Sequence, residues 1–346
     1  MSDYSLTSQA KQLHRCVRML NELEEEDAVR LLQKFRSQLL ALPYETLAYA
    51  FDEARGPRTY EAVQELLRAS LSSNSAVLKQ YAFTRDTTRE ERQSDPMLRV
   101  REFNNRAKSF LINRVIGPFK VLDLACGKGG DLFKWRGVKE YVGIDISEES
   151  IALAKERYMQ SRLTFQAEFH VGDAFGDIVE TIIGGDRRFD IVSCMFALHY
   201  AFRDERTARR AVRNIAASLR KGGRFIAIFP DPKVIERRLK GGMKFGNQLY
   251  QVTLAPLDTE GFGVEYHFFL KGLIDCPEYL VYDLDGLMHR EATRLVRRPL
   301  AVGEMANEYL KLEMEQNLSE VGGYGRLNPS EREVASLYKM VEYVKE

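Results

Sequence analysis

No stretch of this 346-residue chain comes near the roughly 18 consecutive apolar residues that a membrane-spanning helix requires. The opening residues, MSDYSLTSQAKQLHR, carry no apolar core of the kind a secretory signal needs. Cysteine is sparse. Cys16, Cys126, Cys194 and Cys276 stand far apart, without the spacing of a metal site or a disulfide framework, which predicts reduced thiols in an intracellular protein. Charge of one sign is not in excess: 51 Lys and Arg against 50 Asp and Glu leave a net charge of +1. That excludes a histone-like polycation, although it averages over local patches. A dense Lys/Arg run of the nuclear-import type is also missing. With 45% hydrophobic and 29% charged residues the composition is globular, and the length suits one large domain or two smaller ones.

The first 80 residues carry helical spacing. Ala28, Leu31, Leu32, Phe35, Leu39 and Leu42 make one apolar stripe that Pro43 ends. Tyr44, Leu47, Ala48 and Phe51 make a second, closed by Gly56-Pro57. Tyr60, Val63, Leu66, Leu67 and Leu71 make a third, and Ser72-Ser73-Asn74-Ser75 follows as a linker. This predicts an N-terminal helical region over 1–80, without chemical motifs, and a second domain over 81–346. After residue 118 short β-branched runs alternate with amphipathic helices. The runs are 119–125, 140–146, 165–171, 189–195 and 224–229; helices are expected over 147–162 and 204–220, and a final strand near 334–344. Strands and helices alternating at this pitch predict an α/β fold with a parallel sheet.

The first run enters a glycine-rich turn, VLDLACGKGGD, from Val121 to Asp131. In open α/β sheets a ligand lies beyond the carboxyl ends of the strands, where the strand order reverses. The second strand ends in Asp145, 22 residues after Asp123, where a carboxylate suits the ribose diol of an adenosine cofactor. A dinucleotide and S-adenosylmethionine both fit this outline. Asp123, inside the preceding strand, would repel a pyrophosphate but can take the ammonium end of a methionine, which favours S-adenosylmethionine. Asp173, in HVGDAF after the third strand, stands where this fold class commonly reads the adenine amino group. The fourth strand ends in MFALHY, from Met195 to Tyr200, and delivers His199 and Tyr200 towards a substrate.

Taken together, EFNNRAKSFLI, VLDLACGKGGDLFKW, VGIDIS, LHYAF, CPEYLVY and EVASLY resemble the eukaryotic mRNA cap guanine-N7 methyltransferases, in matching order over roughly residues 98–346. The resemblance implies a class I S-adenosylmethionine-dependent methyltransferase fold, S-adenosylmethionine as cofactor with S-adenosylhomocysteine as product, 5′-capped RNA as substrate, and a place in the nucleus. Residue by residue it implies cofactor contacts at Lys108, Asp123, Ala125, Asp145, Asp173, Met195 and Tyr200. It implies cap contacts at Asn104, Asn105, Lys128, Lys134, Arg157, His199, Glu278 and Tyr338, with His199, Glu278 and Tyr338 positioning the guanine. Asn104, Asn105 and Lys108 are expected on a lid-like segment over the cofactor. Two positions depart from the family's usual pattern: Ala125 stands where Gly is usual, and Met195 where Gln is usual, which predicts weaker cofactor binding.

A guanine pocket needs an acceptor for the Watson–Crick edge and an aromatic platform; Glu278, flanked by Tyr279 and Tyr282, suits the first. Residues 203–244 hold 13 Lys and Arg against 4 Asp and Glu, including Arg206, Arg209, Arg210 and Arg213, then Arg237, Arg238 and Lys240. Such a stretch suits triphosphate and RNA backbone. Asp131, Asp204 and His170 have no metal-cage spacing, and no metal is expected. Two other functions stay open on the sequence: a class I methyltransferase acting on a small molecule or another RNA site, and a non-catalytic cap- or RNA-binding subunit. Residues 1–80 could contact a guanylyltransferase or another capping or transcription factor.

Overall fold

All five apolar runs expected as strands pair with one another in parallel. The computed structural model describes residue 27 and residues 97–255, 261–295 and 310–346. The three N-terminal stripes and the Ser72–Ser75 linker lie outside those residues. Contacts along the chain divide it into Met1–Leu78 and Lys79–Glu346, and both sheets belong to the second unit.

In chain order, helix α1 (Leu98–Val115) precedes β1 (Lys120–Leu124), a 3-10 turn at Leu132–Trp135, β2 (Glu140–Asp145), α2 (Glu148–Gln160) and β3 (Gln166–Val171). Next come α3 (Val179–Ile182), β4 (Phe189–Met195), a 3-10 helix at Leu198–Arg203, α4 (Glu205–Ser218) and β5 (Leu219–Pro230). Beyond them lie α5 (Pro232–Leu239), β6 (Lys244–Gly246), β7 (Tyr250–Leu254), β8 (Glu265–Leu270), β9 (Ile274–Tyr279) and α6 (Leu284–Leu295). The chain closes with β10 (Leu310–Asn317), α7 (Pro329–Ala335) and β11 (Tyr338–Lys345).

The main sheet has seven strands in the order β10-β11-β5-β4-β1-β2-β3. The strands β1 to β5 run parallel, and β11 and β10 are added antiparallel at the β5 edge. The order reverses between β1 and β4, which makes the crevice beyond their carboxyl ends the ligand position of this topology. Both faces of the sheet are covered, as a parallel sheet requires. On one face Leu111 of α1, Ile151 and Ala154 of α2, and Trp135 pack with Tyr266 and Phe268 of the small sheet. On the other, Val212 and Ile215 of α4 meet Leu287 and Met288 of α6. The small sheet, β6-β7-β8-β9, is antiparallel and half-buried. In β8 the alternation is strict, with Tyr266, Phe268 and Leu270 turned inward.

Three expectations change. The segment carrying Asn104, Asn105 and Lys108 is not a lid-like strap but the middle of α1, whose Val100, Phe103, Ala107, Leu111 and Ile112 are buried at helical spacing. The final strand begins at Tyr338 rather than near Val334. Asn328 accepts from the Glu331 N–H while the Glu331 carboxylate accepts from the Asn328 N–H, and with Pro329 in the first turn this capping box holds a helix through Ala335. The basic stretch is partly structural. Arg209 and Arg213 of α4 both bind the fully buried Glu291 of α6, Arg213 Nε at 2.6 Å from Oε2. A buried carboxylate requires such partners. Arg238 of α5 donates to the Tyr250 hydroxyl at 2.9 Å and to Ser336 Oγ at 2.6 Å. Among the described residues no helix is long and apolar enough to cross a membrane.

Candidate active site

Asp123 sits next to the last residue of β1, buried. Its register partner on β4 is Ser193, whose Oγ donates to Oδ1 at 2.5 Å. Tyr141, on the neighbouring β2, donates its hydroxyl to Oδ2 at 2.7 Å. Desolvation by burial pushes the Asp123 carboxyl up to about 6, although both hydroxyls favour its charged form. Burial and the Asp123 charge push the Tyr141 phenol well above its ordinary value, so it remains a donor. Asp123 is thus held rigidly at the reversal point, at the cost of its solvation.

The glycine turn follows at once. Ala125 has φ +58°, Gly127 +54° and Gly129 +68°, all left-handed. A Cβ on Gly127 would meet nothing within 4 Å, so this part of the turn faces open space. On Gly129 a Cβ would lie 2.7 Å from Leu132 Cδ1, so the turn must be bare there to pack on its own helix. The Gly127 N–H donates to Asp145 Oδ2 at 2.8 Å, and the Ser147 N–H to Oδ1 at 2.9 Å. Burial raises the Asp145 carboxyl while those two amides favour its ionised form. The turn and the end of β2 therefore hold one another, with Asp145 as the clasp. Asp173 lies beyond β3. Its Oδ1 accepts the Phe175 N–H at 2.9 Å, and its Oδ2 is 3.8 Å from Arg203 Nη2. Half-buried Met195 closes β4, and the next residue, Phe196, is strained at φ +61°. Non-glycine residues in this region collect at functional sites.

Two further groups complete the site. In the first, Asp131 gathers what the sequence scattered. Lys108 Nζ of α1 donates to its Oδ2 at 2.9 Å, Lys134 Nζ lies 2.7 Å from its Oδ1, and Lys134 also reaches Asn105 Oδ1 at 3.3 Å. Burial opposes ionisation of Asp131, but the two ammonium groups outweigh it and hold the carboxyl below its ordinary value. Asn104 keeps a buried Oδ1 with no hydrogen bond. Arg157 of α2 donates to the Lys128 carbonyl at 2.7 Å, which braces the turn from outside.

The second group is the pocket under the small sheet. Alternation along β9 turns Cys276 and Glu278 inward, so a glutamate occupies a place the strand pattern reserves for an apolar residue. Its register partner on β8 is Tyr266, which donates its hydroxyl to Glu278 Oε2 at 2.7 Å. Burial, then the Glu278 charge, push that phenol well above its ordinary value. His199 is only 2% exposed. Its Nε2 stands 3.5 Å from Glu278 Oε1, and neither ring nitrogen makes a hydrogen bond with the protein. Tyr200 packs on the His199 ring with centroids 4.1 Å apart and turns its hydroxyl to Cys276 Sγ at 3.6 Å. Tyr338, Tyr266 and Glu278 line one pocket, and Phe196 meets Tyr338 edge-on at 5.0 Å.

The structure thus brings together Asn105, Lys108 and Lys134; Asp123, Ala125 and Asp145; and His199, Tyr200, Glu278 and Tyr338. Sequence reading passed over Tyr266, Tyr141, Ser193, Phe196 and the organising part of Asp131. An alternating strand with tyrosine at the inward position, paired with one carrying an inward glutamate, was the available signal for Tyr266. Among the described residues no group of three or more His, Cys, Asp or Glu could hold a metal ion.

A doubly wound sheet with the reversal at β1/β4, a left-handed glycine turn beyond β1 and a clasped acid at the end of β2 define a class I S-adenosylmethionine-dependent methyltransferase. The open face of Gly127 beside Asp145 fits an adenosine cofactor, with Asp123, Asp145 and Asp173 available to hold it. Residues 65–346 match the mRNA (guanine-N(7))-methyltransferase domain, and the chain belongs to that family. The match begins upstream of the motif near residue 98, inside the first 80 residues. The chain is 37% identical over 295 residues to the mRNA cap guanine-N(7) methyltransferase 1 of Oryza sativa subsp. japonica, covering 77% of this chain and 80% of that protein. It is 34% identical over 302 residues to the mRNA cap guanine-N(7) methyltransferase 1 of Arabidopsis thaliana, covering 74% and 82%. With the mRNA cap guanine-N(7) methyltransferase of Schizosaccharomyces pombe it shares 36% identity, covering 61% and 63%.

Proposed function

We propose that this chain transfers the methyl group of S-adenosylmethionine to N7 of the guanine that caps an RNA, with the guanine read by Glu278 in the pocket of His199, Tyr266 and Tyr338. S-adenosylmethionine, when bound, supplies a methyl group on a positively charged sulfur. Asp123 takes the ammonium end of the methionine, Asp145 the ribose diol and Asp173 the adenine; Lys108, Ala125, Met195 and Tyr200 complete that bed. Asn104, Asn105, Lys128, Lys134 and Arg157 serve the cap and its phosphates. The N7 lone pair of neutral guanine is free, so no side chain must first remove a proton. The work of the chain is orientation and charge. Positioning of reactants alone can supply about 7–11 kcal/mol. Glu278 accepts from the guanine N1–H and N2–H, and its negative charge favours the purine as it becomes cationic.

The observation that supports this reading most is the buried pair Glu278 and His199. The glutamate has Tyr266 on one oxygen, and the imidazole beside it has no hydrogen bond of its own. Buried polar groups are normally paired, so this pair calls for a ligand with donors and acceptors on one edge. The test is incubation with labelled S-adenosylmethionine and GpppA-capped RNA, followed by nuclease digestion. Label in 7-methylguanosine cap is expected; label elsewhere in the RNA, or none, would overturn it.

The same reading places the chain in the nucleus, as part of cap synthesis, with residues 1–80 as an accessory region that meets a guanylyltransferase or another capping or transcription factor. Deleting residues 1–64, which precede the family match, is then expected to leave methyl transfer on GpppA-RNA within a few-fold of the full chain. An inactive, folded truncation would show that the region serves the chemistry.

A further inference from the structure

A cleft of about 350 Å³ opens where the 3-10 turn Leu132–Trp135 leaves for β2 and the end of α2 leaves for β3. Its volume falls in the usual range of small-ligand sites, roughly 300–1,000 Å³. It lies at the amino-terminal ends of β2 and β3, opposite the end where the acids gather. Phe133, Arg136, Arg162, Thr164 and Phe165 line it, and no acidic residue does. Phe133 is 46% exposed, an unusual state for a phenylalanine, and Arg136 lies over its ring at 5.2 Å. Among the described residues neither Arg136 nor Arg162 is in an ion pair, in contrast to Arg209 and Arg213.

In sequence the lining residues lie near two of the proposed cap-phosphate residues, Lys134 and Arg157. Phe133 is the neighbour of Lys134 on one turn, so the two side chains leave it in different directions. Arg157 lies in the last turn of α2, and Arg162 lies two residues past the end of that helix at Gln160. In the cleft Arg136 and Arg162 thus set two cations beside an exposed aromatic ring. Single-stranded nucleic acid is held by such a combination, with cations along the backbone and rings under the bases.

We propose that this cleft holds a nucleotide of the RNA body downstream of the cap, its base stacked on Phe133 or on the Arg136 guanidinium and its flanking phosphates on Arg136 and Arg162. The proposal rests on the cap reading above and extends it from the guanine to the transcript. It makes the enzyme prefer a capped RNA chain over an isolated cap without reading sequence.

The test compares the GpppA dinucleotide with a GpppA-capped RNA of about ten nucleotides. The wild-type chain is expected to show kcat/KM on the RNA about tenfold above that on the dinucleotide. The triple variant Phe133→Ala, Arg136→Ala, Arg162→Ala should bring the RNA down to the dinucleotide's value and leave the dinucleotide unchanged. The slope of log Kd for capped RNA against log salt should flatten by about 1.4, two phosphates at about 0.7 each. The double variant Arg136→Lys, Arg162→Lys should keep that slope, which separates lost charge from a folding defect. A length advantage that survives the triple variant, or one absent from wild type, would overturn the proposal, and survival would leave the cleft to an acidic protein surface. Failure of wild type to methylate even the dinucleotide would instead strike the cap reading itself.

Discussion

At the ends of β1 and β2 the site is made of residues close in sequence. Asp123, Ala125, Gly127 and Asp145 fall within one β-turn-β passage, and backbone amides do much of the holding. Around Glu278 the site is made of distant pieces: His199 after β4, Tyr266 on β8, Glu278 on β9 and Tyr338 at the start of β11. There side chains hold side chains, and Tyr266 to Glu278 is the firmest contact. The difference separates duties. A bed fixed by backbone geometry serves any reaction of the fold class, whereas a pocket assembled by docking a small second sheet can be changed without disturbing the bed. If so, damage to one half should leave the other's binding intact.

The largest effect is expected at the clasp. Asp145→Ala removes the acceptor of two backbone amides and, on the proposed reading, of the ribose diol, contacts to a charged group worth about 1.5–3 kcal/mol each. Cofactor affinity measured by calorimetry should fall by at least two orders of magnitude. A variant that binds within threefold of wild type would place the cofactor elsewhere. In the pocket, Glu278→Ala should cost two orders of magnitude in turnover of capped RNA while cofactor affinity stays within twofold. Glu278→Gln keeps the shape and one acceptor but loses the charge, so its defect should be intermediate and fall mainly on kcat. Equal losses of cofactor and RNA binding in either variant would break the division between the halves.

A smaller, graded effect concerns Asp123. Its carboxyl is pushed from an ordinary 3.8 to about 6 in the folded chain. The folded state therefore holds the proton more readily than the unfolded one. The stability this contributes is present below about pH 3.8 and is lost as the pH rises through about 6. Binding of a cofactor through its ammonium has the opposite sign, because it needs the carboxylate. Affinity for S-adenosylmethionine should weaken as the pH falls below about 6, by up to tenfold per unit. Tyr141→Phe or Ser193→Ala removes a hydrogen bond to the charged form and should move that midpoint upward. Calorimetry from pH 5 to 8 reads it, and a profile that Asp123→Asn leaves unaltered would detach the residue from the cofactor.

The bed was legible in the sequence because its signals are local. A β-branched run ends in an acid, a glycine turn follows, and a second run ends in another acid at the right distance. The pocket was legible only in part. Glu278 and Tyr338 came from resemblance, whereas Tyr266 needed the β8–β9 register, which periodicity in short, interrupted strands does not give. Asp131 is considered in the sequence only with Asp204 and His170 as a metal group without cage spacing, because its actual partners come from α1 and from its own turn. In sequence Arg209 and Arg213 of α4 look like part of a ligand surface because the glutamate that claims them lies on α6, about eighty positions later. Charge along a sequence shows what is available, and only the packing shows what is already paired.

The smallest effect tests the bed at its own weak point. Ala125 lies between Asp123 and Gly127 with φ +58°, in the left-handed region. An L-residue there costs about 1–2 kcal/mol because its Cβ crowds the following carbonyl. Glycine escapes that cost but gives the unfolded chain more freedom, worth about 0.4–1 kcal/mol in the other direction. Ala125→Gly should therefore stabilise the folded chain by up to about 1.6 kcal/mol and raise the melting temperature by roughly 2–3 °C. Cofactor binding should tighten slightly or stay the same, since relieving the left-handed strain at Ala125 removes no acid. The pocket around Glu278 should not notice, so KM for capped RNA at saturating cofactor should be unchanged. A lower melting temperature together with weaker cofactor binding would mean that this chain has packed its turn around the methyl group. The strain would then be compensated locally, and the bed would be less independent of its side chains than its backbone geometry indicates.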